Sequence, residues 1–211
     1  MYISQVQIDL NNRRKMRELS HLGAYHSWVE DSFPEDIGKI RKRKLWRIDK
    51  LRGNKYLLIV SEDKPDIVAL EKYGVENTAS TKSYDKYLST IKKGDKMRFR
   101  ITLNPIISRK EEGLSRGRVY PVLSIKGQED FLKKRSEKNG FSLQDNDFTI
   151  VEKSFVPLKK HGKRLVNLNK VTYEGILEVS DEDLFYKTLT QGFGKKKAYG
   201  CGLMTVIKVE E

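Results

Sequence analysis

The strongest constraint on this chain is the order in which strand-like and helix-like segments follow one another along its 211 residues. YISQVQIDL (2–10) sets Ile3, Val6 and Ile8 among polar residues, as a half-buried strand does. Over 16–33, Met16, Leu19, Leu22, His26, Val29 and Phe33 recur at steps of three and four, which predicts a helix stopping before Pro34. KLWRID (44–49) and KYLLIVS (55–61) flank Arg52-Gly53-Asn54 and read as a hairpin. A short helix over 67–73 and the alternating strand KMRFRITLNP (96–105) complete the first round. After a polar connector, 106–118, the order restarts. RVYPVLSI reads as a strand, Gln128–Lys138 as a helix, and FTIVEKSFVPL and KVTYEGILEV as strands. Glu182–Thr190 reads as a helix and GLMTVIKV as a closing strand. Each half follows β-α-β-β-α-β, the ferredoxin-like arrangement. The expected class is α+β, with two tandem ferredoxin-like (RRM-like) domains at 1–105 and 119–211 joined by 106–118. No sequence repeat links the halves, so the duplication rests on pattern.

Charge narrows the partners. Lys and Arg total 42 against 29 acids, a net charge of +13 that attracts polyanions. No apolar run approaches the roughly 18 residues of a spanning helix, and MYISQVQIDL lacks the charged and apolar regions of a signal peptide. The single cysteine, Cys201, cannot form an internal disulfide, nor build a zinc site with only three histidines in support. The expectation is a reduced, cytoplasmic protein that handles nucleic acid, with no membrane partner, no cofactor and no metal.

Three basic stretches are candidates for phosphate contact. GFGKKKAYGCG (192–202) sets four glycines around three lysines. It is no dinucleotide fingerprint, because Lys197 stands where the third glycine belongs and the stretch follows a helix and precedes a strand. It also lacks the G-K-[ST] ending of a Walker A loop. A helix cap and turn explain one or two glycines; four around three lysines suggest backbone and ammonium groups that approach phosphates. Gly192, Gly194, Lys195, Lys196, Lys197, Gly200 and Gly202 are therefore candidates. PLKKHGKRL (157–165) places a glycine turn between Lys159, Lys160, His161, Lys163 and Arg164, a shape that can enter a groove and touch phosphates on both sides. RKRK (41–44) is partly strand-like, so Arg41 and Arg43 share a face.

QGFGKKKAYGCGLMTV resembles the C-terminal glycine-rich signature of the CRISPR repeat-processing endoribonucleases, specifically the CasE family of the subtype I-E effector complex. The opening MYIS, RFRITLNP, VTYEGILEV and the segment YHSWVEDSFP fit the same family in order and spacing, over residues 1 to 209. The resemblance implies two ferredoxin-like domains and cleavage of a repeat stem-loop at its 3′ base, without metal. The products would be a 2′,3′-cyclic phosphate and a 5′-hydroxyl. It also implies retention of the product and assembly with other subunits of the complex, with a second-domain hairpin in the RNA groove and the glycine-rich loop near the cut.

Such chemistry needs a base for the 2′-hydroxyl proton, an acid for the 5′-oxygen and positive charge near the oxyanion. His26 lies in an apolar seam, as core histidines do, but matches the family's catalytic position. His21 lies five residues earlier, about 140° round the helix, and reads as a surface histidine; His161 reads as a hairpin-tip residue. Where relatives often carry a tyrosine, this chain has Gly23, so Tyr25 either takes the supporting role or packs beside Trp28. Ser27 stands where some members have a cation, so the charge must come from Lys39, the 41–44 run or the 159–164 cluster. Cys201 reads as a small buried residue. Two rivals remain: a non-catalytic RNA-binding subunit of a CRISPR effector complex, and an unrelated basic RNA-binding protein.

Overall fold

The structure, a computed structural model, describes residues 1–36, 42–110, 117–159 and 166–209. Lys39, Arg41, Lys160, His161, Lys163 and Arg164 lie outside the described residues. The chain opens with β1 (Tyr2–Gln7), α1 (Arg13–Glu18) and α2 (Leu22–Asp31). The hairpin β2 (Lys44–Leu51) and β3 (Asn54–Ser61), α3 (Ile67–Glu71) and β4 (Ser80–Ser83) follow. These strands form one sheet in the order β2-β3-β1-β4, each neighbour antiparallel. That is the ferredoxin-like order: two crossovers return the outer strands to either side of the first and third.

Then come α4 (Asp85–Leu88), β5 (Lys96–Leu103), the hairpin β6 (Ile106–Arg109) and β7 (Arg118–Pro121), and α5 (Ile125–Ser136). The chain continues through β8 (Phe141–Ser142), β9 (Phe148–Leu158), β10 (Val166–Val179), α6 (Glu182–Gln191) and β11 (Met204–Lys208). The second sheet runs β11-β5-β10, with β8 and β9 both paired to β10. Counting β5, β9, β10 and β11 as its four main strands, the order is again fourth-first-third-second.

One strand changes sides relative to the sequence pattern. β5 opens the second sheet, paired to β10 and β11, instead of closing the first. The first sheet closes with Ser80–Ser83, four polar residues on its edge that carry no apolar alternation. The division at 105–106 therefore falls inside the second unit, and β6 and β7 of the connector region pair with each other. Alternation marks Lys96–Leu103 as a half-buried strand but says nothing of its partners. The helix expected over 16–33 is also two helices. The imidazole Nδ1 of His21 accepts the Ala24 N–H at 3.3 Å and caps α2. Leu19 and Leu22 are buried on either side of the break, so the apolar spacing runs through it.

The two sheets share a core in which Leu45 and Val60 of the first meet Phe99, Ile101, Tyr173 and Met204 of the second. Arg47 of β2, 2 % exposed, joins them through polar contacts. Its guanidinium donates to both Asp49 carboxylate oxygens at 2.6 and 2.8 Å and to Thr205 Oγ1 at 2.8 Å. It also donates to the Arg100 carbonyl at 2.8 Å and the Leu203 carbonyl at 3.0 Å. Five donors meet five acceptors, the full capacity of an arginine. Burial raises the Asp49 pKa, but the bonds and charges of Arg47 and Arg100 outweigh it and hold this carboxyl below its ordinary value.

Arg47→Ala should destabilise the protein by about 3–5 kcal/mol, the cost of stripping one partner from a buried charged pair, read from urea unfolding at pH 7. Asp49 has a folded pKa below its unfolded one, so its stabilisation is present above about pH 4 and lost as pH falls through the folded value. The gap between wild type and Arg47→Ala should therefore narrow on acidification.

Candidate active site and nucleic-acid interface

His26 projects from the middle of α2 between two surface cavities. The first, near 600 Å³, is lined by His21, Gly23, His26, Ser27, Lys159 and Tyr199, among others. The second, near 530 Å³, brings His26 together with Glu30, Arg43, Lys44, Gln191 and Ala198. The ring is a quarter exposed, at 24 %. Glu30, one helical turn on, sets Oε1 at 3.7 Å from His26 Nδ1, and its Oε2 accepts from Lys44 at 3.3 Å. Lys44, its side chain 2 % exposed, also donates to Asp36 at 2.6 Å. The carboxylate beside the imidazole is thus itself held by a buried ammonium. Tyr199 meets the His26 ring edge-on, with centroids 5.7 Å apart.

The loop bearing Tyr199 follows α6 and contains a single 3₁₀ turn, Lys197–Tyr199. Gly192, Gly194, Gly200 and Gly202 all have positive φ, as does Lys196. At Gly200, φ +71°, an added Cβ would lie 2.7 Å from Trp46 Cζ3. Trp46 in turn donates from Nε1 to the Ala198 carbonyl at 3.2 Å. Lys195 is exposed, Lys196 Nζ stands 5.9 Å from the Tyr199 ring centroid, and Lys197 donates to the Gln191 carbonyl at 2.9 Å. Burial, and then the charge of Arg43, lower the Lys197 pKa. The glycine-rich loop and the start of β2 therefore form one basic rim beside His26. Among the described residues, no three His, Cys, Asp or Glu side chains are grouped to hold a metal, and no helix is long and apolar enough to cross a membrane.

The sequence profile described as CRISPR associated protein matches residues 1–208. The chain belongs to that family. Its relatives include the CRISPR-associated endoribonuclease Cse3 of Thermus thermophilus, 26% identical over 217 residues that cover 98% of this chain and 99% of Cse3. The structure of Thermus thermophilus Cse3 bound to an RNA representing a pre-cleavage complex superposes with a TM-score of 0.78, at 25% identity, covering 98% of each chain. A chain of a pre-nicking CRISPR RNA-guided surveillance complex shares the fold, with a TM-score of 0.75 at 19% identity, covering 99% of this chain and 100% of that one.

Within this CRISPR-associated fold, the residues singled out by sequence divide into groups. Lys159 lines the first cavity beside His26 and Arg43 the second, while the 192–202 loop reaches them through Tyr199 and Ala198 and sets Lys197 near Arg43. Tyr25 does not join them. Adjacent helical residues point about 100° apart, and its ring stacks on Trp46 at 6.1 Å and tilts against Trp28 at 6.3 Å. Burial raises its pKa, and it lines a different cavity, with Lys170. Packing is what Tyr25 does in this structure. Cys201 is buried, its thiol pushed up to about 11 by burial. His21 caps α2 and lines the His26 cavity, which the surface reading did not anticipate. Glu30 and Tyr199 were also missed. The His26–Glu30 spacing of four was the available signal for the first. For the second it was a lone aromatic within a basic glycine loop.

Gly200→Val should lower the melting temperature, because valine tolerates neither this φ nor the Trp46 contact; a cost of about 1–3 kcal/mol is expected. Lys195→Ala, at an exposed position, should leave melting unchanged. Differential scanning calorimetry of the two variants checks both.

Proposed function

We propose that this chain is a metal-independent endoribonuclease that binds a CRISPR repeat stem-loop and cleaves at its 3′ base. On this reading it keeps the processed RNA and acts in the cytoplasm with other subunits of an effector complex. Support comes from full-length kinship with Cse3, an endoribonuclease, and from the likeness to a chain of an RNA-guided surveillance complex. The observation that carries the reading is His26 between two basic-rimmed cavities, with Glu30 at its Nδ1 side.

In this mechanism the RNA 2′-oxygen attacks the neighbouring phosphorus and the bond from phosphorus to the 5′-oxygen breaks. A 2′,3′-cyclic phosphate and a 5′-hydroxyl result. The 2′-hydroxyl gives up a proton and the departing oxygen gains one. His26 serves one of these transfers through Nε2, while Glu30, fixed by Lys44, orients the ring. Lys159 on one side and Arg43 on the other supply charge to the RNA phosphates. Neither forms an ion pair among the described residues.

His26→Ala should slow single-turnover cleavage of the repeat in EDTA by about 10²–10⁴-fold, the usual range for one general acid or base. RNA binding and melting should stay close to wild type. A 2′-deoxy sugar before the cut should block the wild-type enzyme. A folded His26→Ala protein that cleaves at the wild-type rate would overturn the assignment, and a wild type that binds without cutting would favour a non-catalytic RNA-binding subunit. Alanine at Lys159 and Arg43 should each flatten the slope of log K against log salt by about 0.7–0.9. An unchanged slope in both would move the RNA elsewhere.

A further inference from the structure

We infer that His21 is a hydrogen-bond donor to the phosphate being cleaved, with its tautomer fixed by the cap it forms on α2; this rests on the His26 cavity being the cleavage site. Nδ1 of His21 accepts the Ala24 N–H at 3.3 Å. A ring nitrogen that accepts carries no proton, so the neutral imidazole holds its proton on Nε2. That nitrogen cannot take a second proton as a base. Nor can the ring become an imidazolium acid without protonating Nδ1 and forfeiting the cap. The role that remains is that of a neutral donor.

Its position suits that role. The imidazole lies over Gly23: an added Cβ there would sit 2.9 Å from both Nδ1 and Cε1, and 3.0 Å from the Lys159 carbonyl oxygen. Residue 23 must therefore stay without a side chain for the ring to occupy this place. His21, Gly23, His26 and Lys159 line the same cavity. A phosphate held there meets the proton-transfer group on one wall, with an N–H donor and an ammonium beside it. Ser27, next to His26, is exposed and carries no charge; the ammonium groups of this cavity are Lys72 and Lys159, and His21 adds a ring N–H beside them. A preorganised donor of this kind, aimed at the charge that develops on a non-bridging oxygen, is worth about 10²–10³ in rate.

The test separates the cap from the donor. Serine and aspartate both cap helices well, but neither offers an N–H that reaches the cavity. His21→Ser and His21→Asp should melt like wild type, bind repeat RNA, and cleave about 10²-fold more slowly in single turnover. The second readout uses repeat RNA with each phosphorothioate diastereomer at the cut. Sulfur accepts hydrogen bonds poorly, so one diastereomer should slow the wild type, and that discrimination should vanish in both variants. If either variant folds, cleaves at the wild-type rate and keeps the discrimination, while His26→Ala is inactive, the His21 role is overturned and the His26 reading stands. If His26→Ala is itself active, the cavity is not the cleavage site and both fall.

Discussion

Arg47 is the contact on which the rest of the architecture depends. It sits on a strand of the first sheet, yet three of its five acceptors belong to the second: the carbonyls of Arg100 and Leu203 and the hydroxyl of Thr205. A guanidinium this buried is stable only if every donor is met. The two sheets must therefore stand in one register with respect to each other. Hydrophobic contact at Leu45 and Val60 supplies adhesion, but apolar surfaces can slide; three directional bonds across the joint cannot.

The same strand carries that precision to the site, because its side chains alternate. Leu45 and Arg47 face the second sheet. Lys44 and Trp46 face α2 and the glycine-rich loop. Lys44 fixes Glu30, and Glu30 fixes the His26 ring. Trp46 receives Gly200 against its ring and donates to Ala198, which sets Tyr199 at the edge of His26. Tyr25 and Lys170 pack on Trp46 as well. Burial lowers the pKa of the Lys170 ammonium, a cost accepted at the centre of this joint. A histidine on one sheet's helix and a loop on the other sheet thus meet with little freedom.

Much of this was legible in the sequence, and the gaps have physical causes. Strand and helix order follows from apolar period, so the double β-α-β-β-α-β pattern could be read. Sheet membership could not: Lys96–Leu103 alternates identically whichever sheet receives it, and Ser80–Ser83 has no apolar face at all. The break between α1 and α2 was hidden because Leu19 and Leu22 bury their side chains on both sides of it. His26 and the basic loop stood out through residue type and family likeness. Glu30 did not, Lys44 was read only as part of a basic run and His21 only as a surface histidine, because helix-surface and strand side chains come together at one place only when the fold sets them against one another.

The arrangement also dictates how loss of activity should be interpreted. Both cavities beside His26 have walls from both units: α2 with Lys159 at the end of β9, and β2 with the loop after α6. Anything that loosens the sheet-to-sheet joint opens these cavities without touching a reacting group. Substitutions at Arg47 or Gly200 act in that way, and their effects on rate must track their effects on melting. On the proposed mechanism, substitutions at His26 or at the Nε2 side of His21 act on the chemistry and leave the joint intact. Rate and stability should therefore separate at the residues proposed to meet RNA and move together at those that hold the walls in place. A residue's role is read from that separation, not from the size of the rate loss alone.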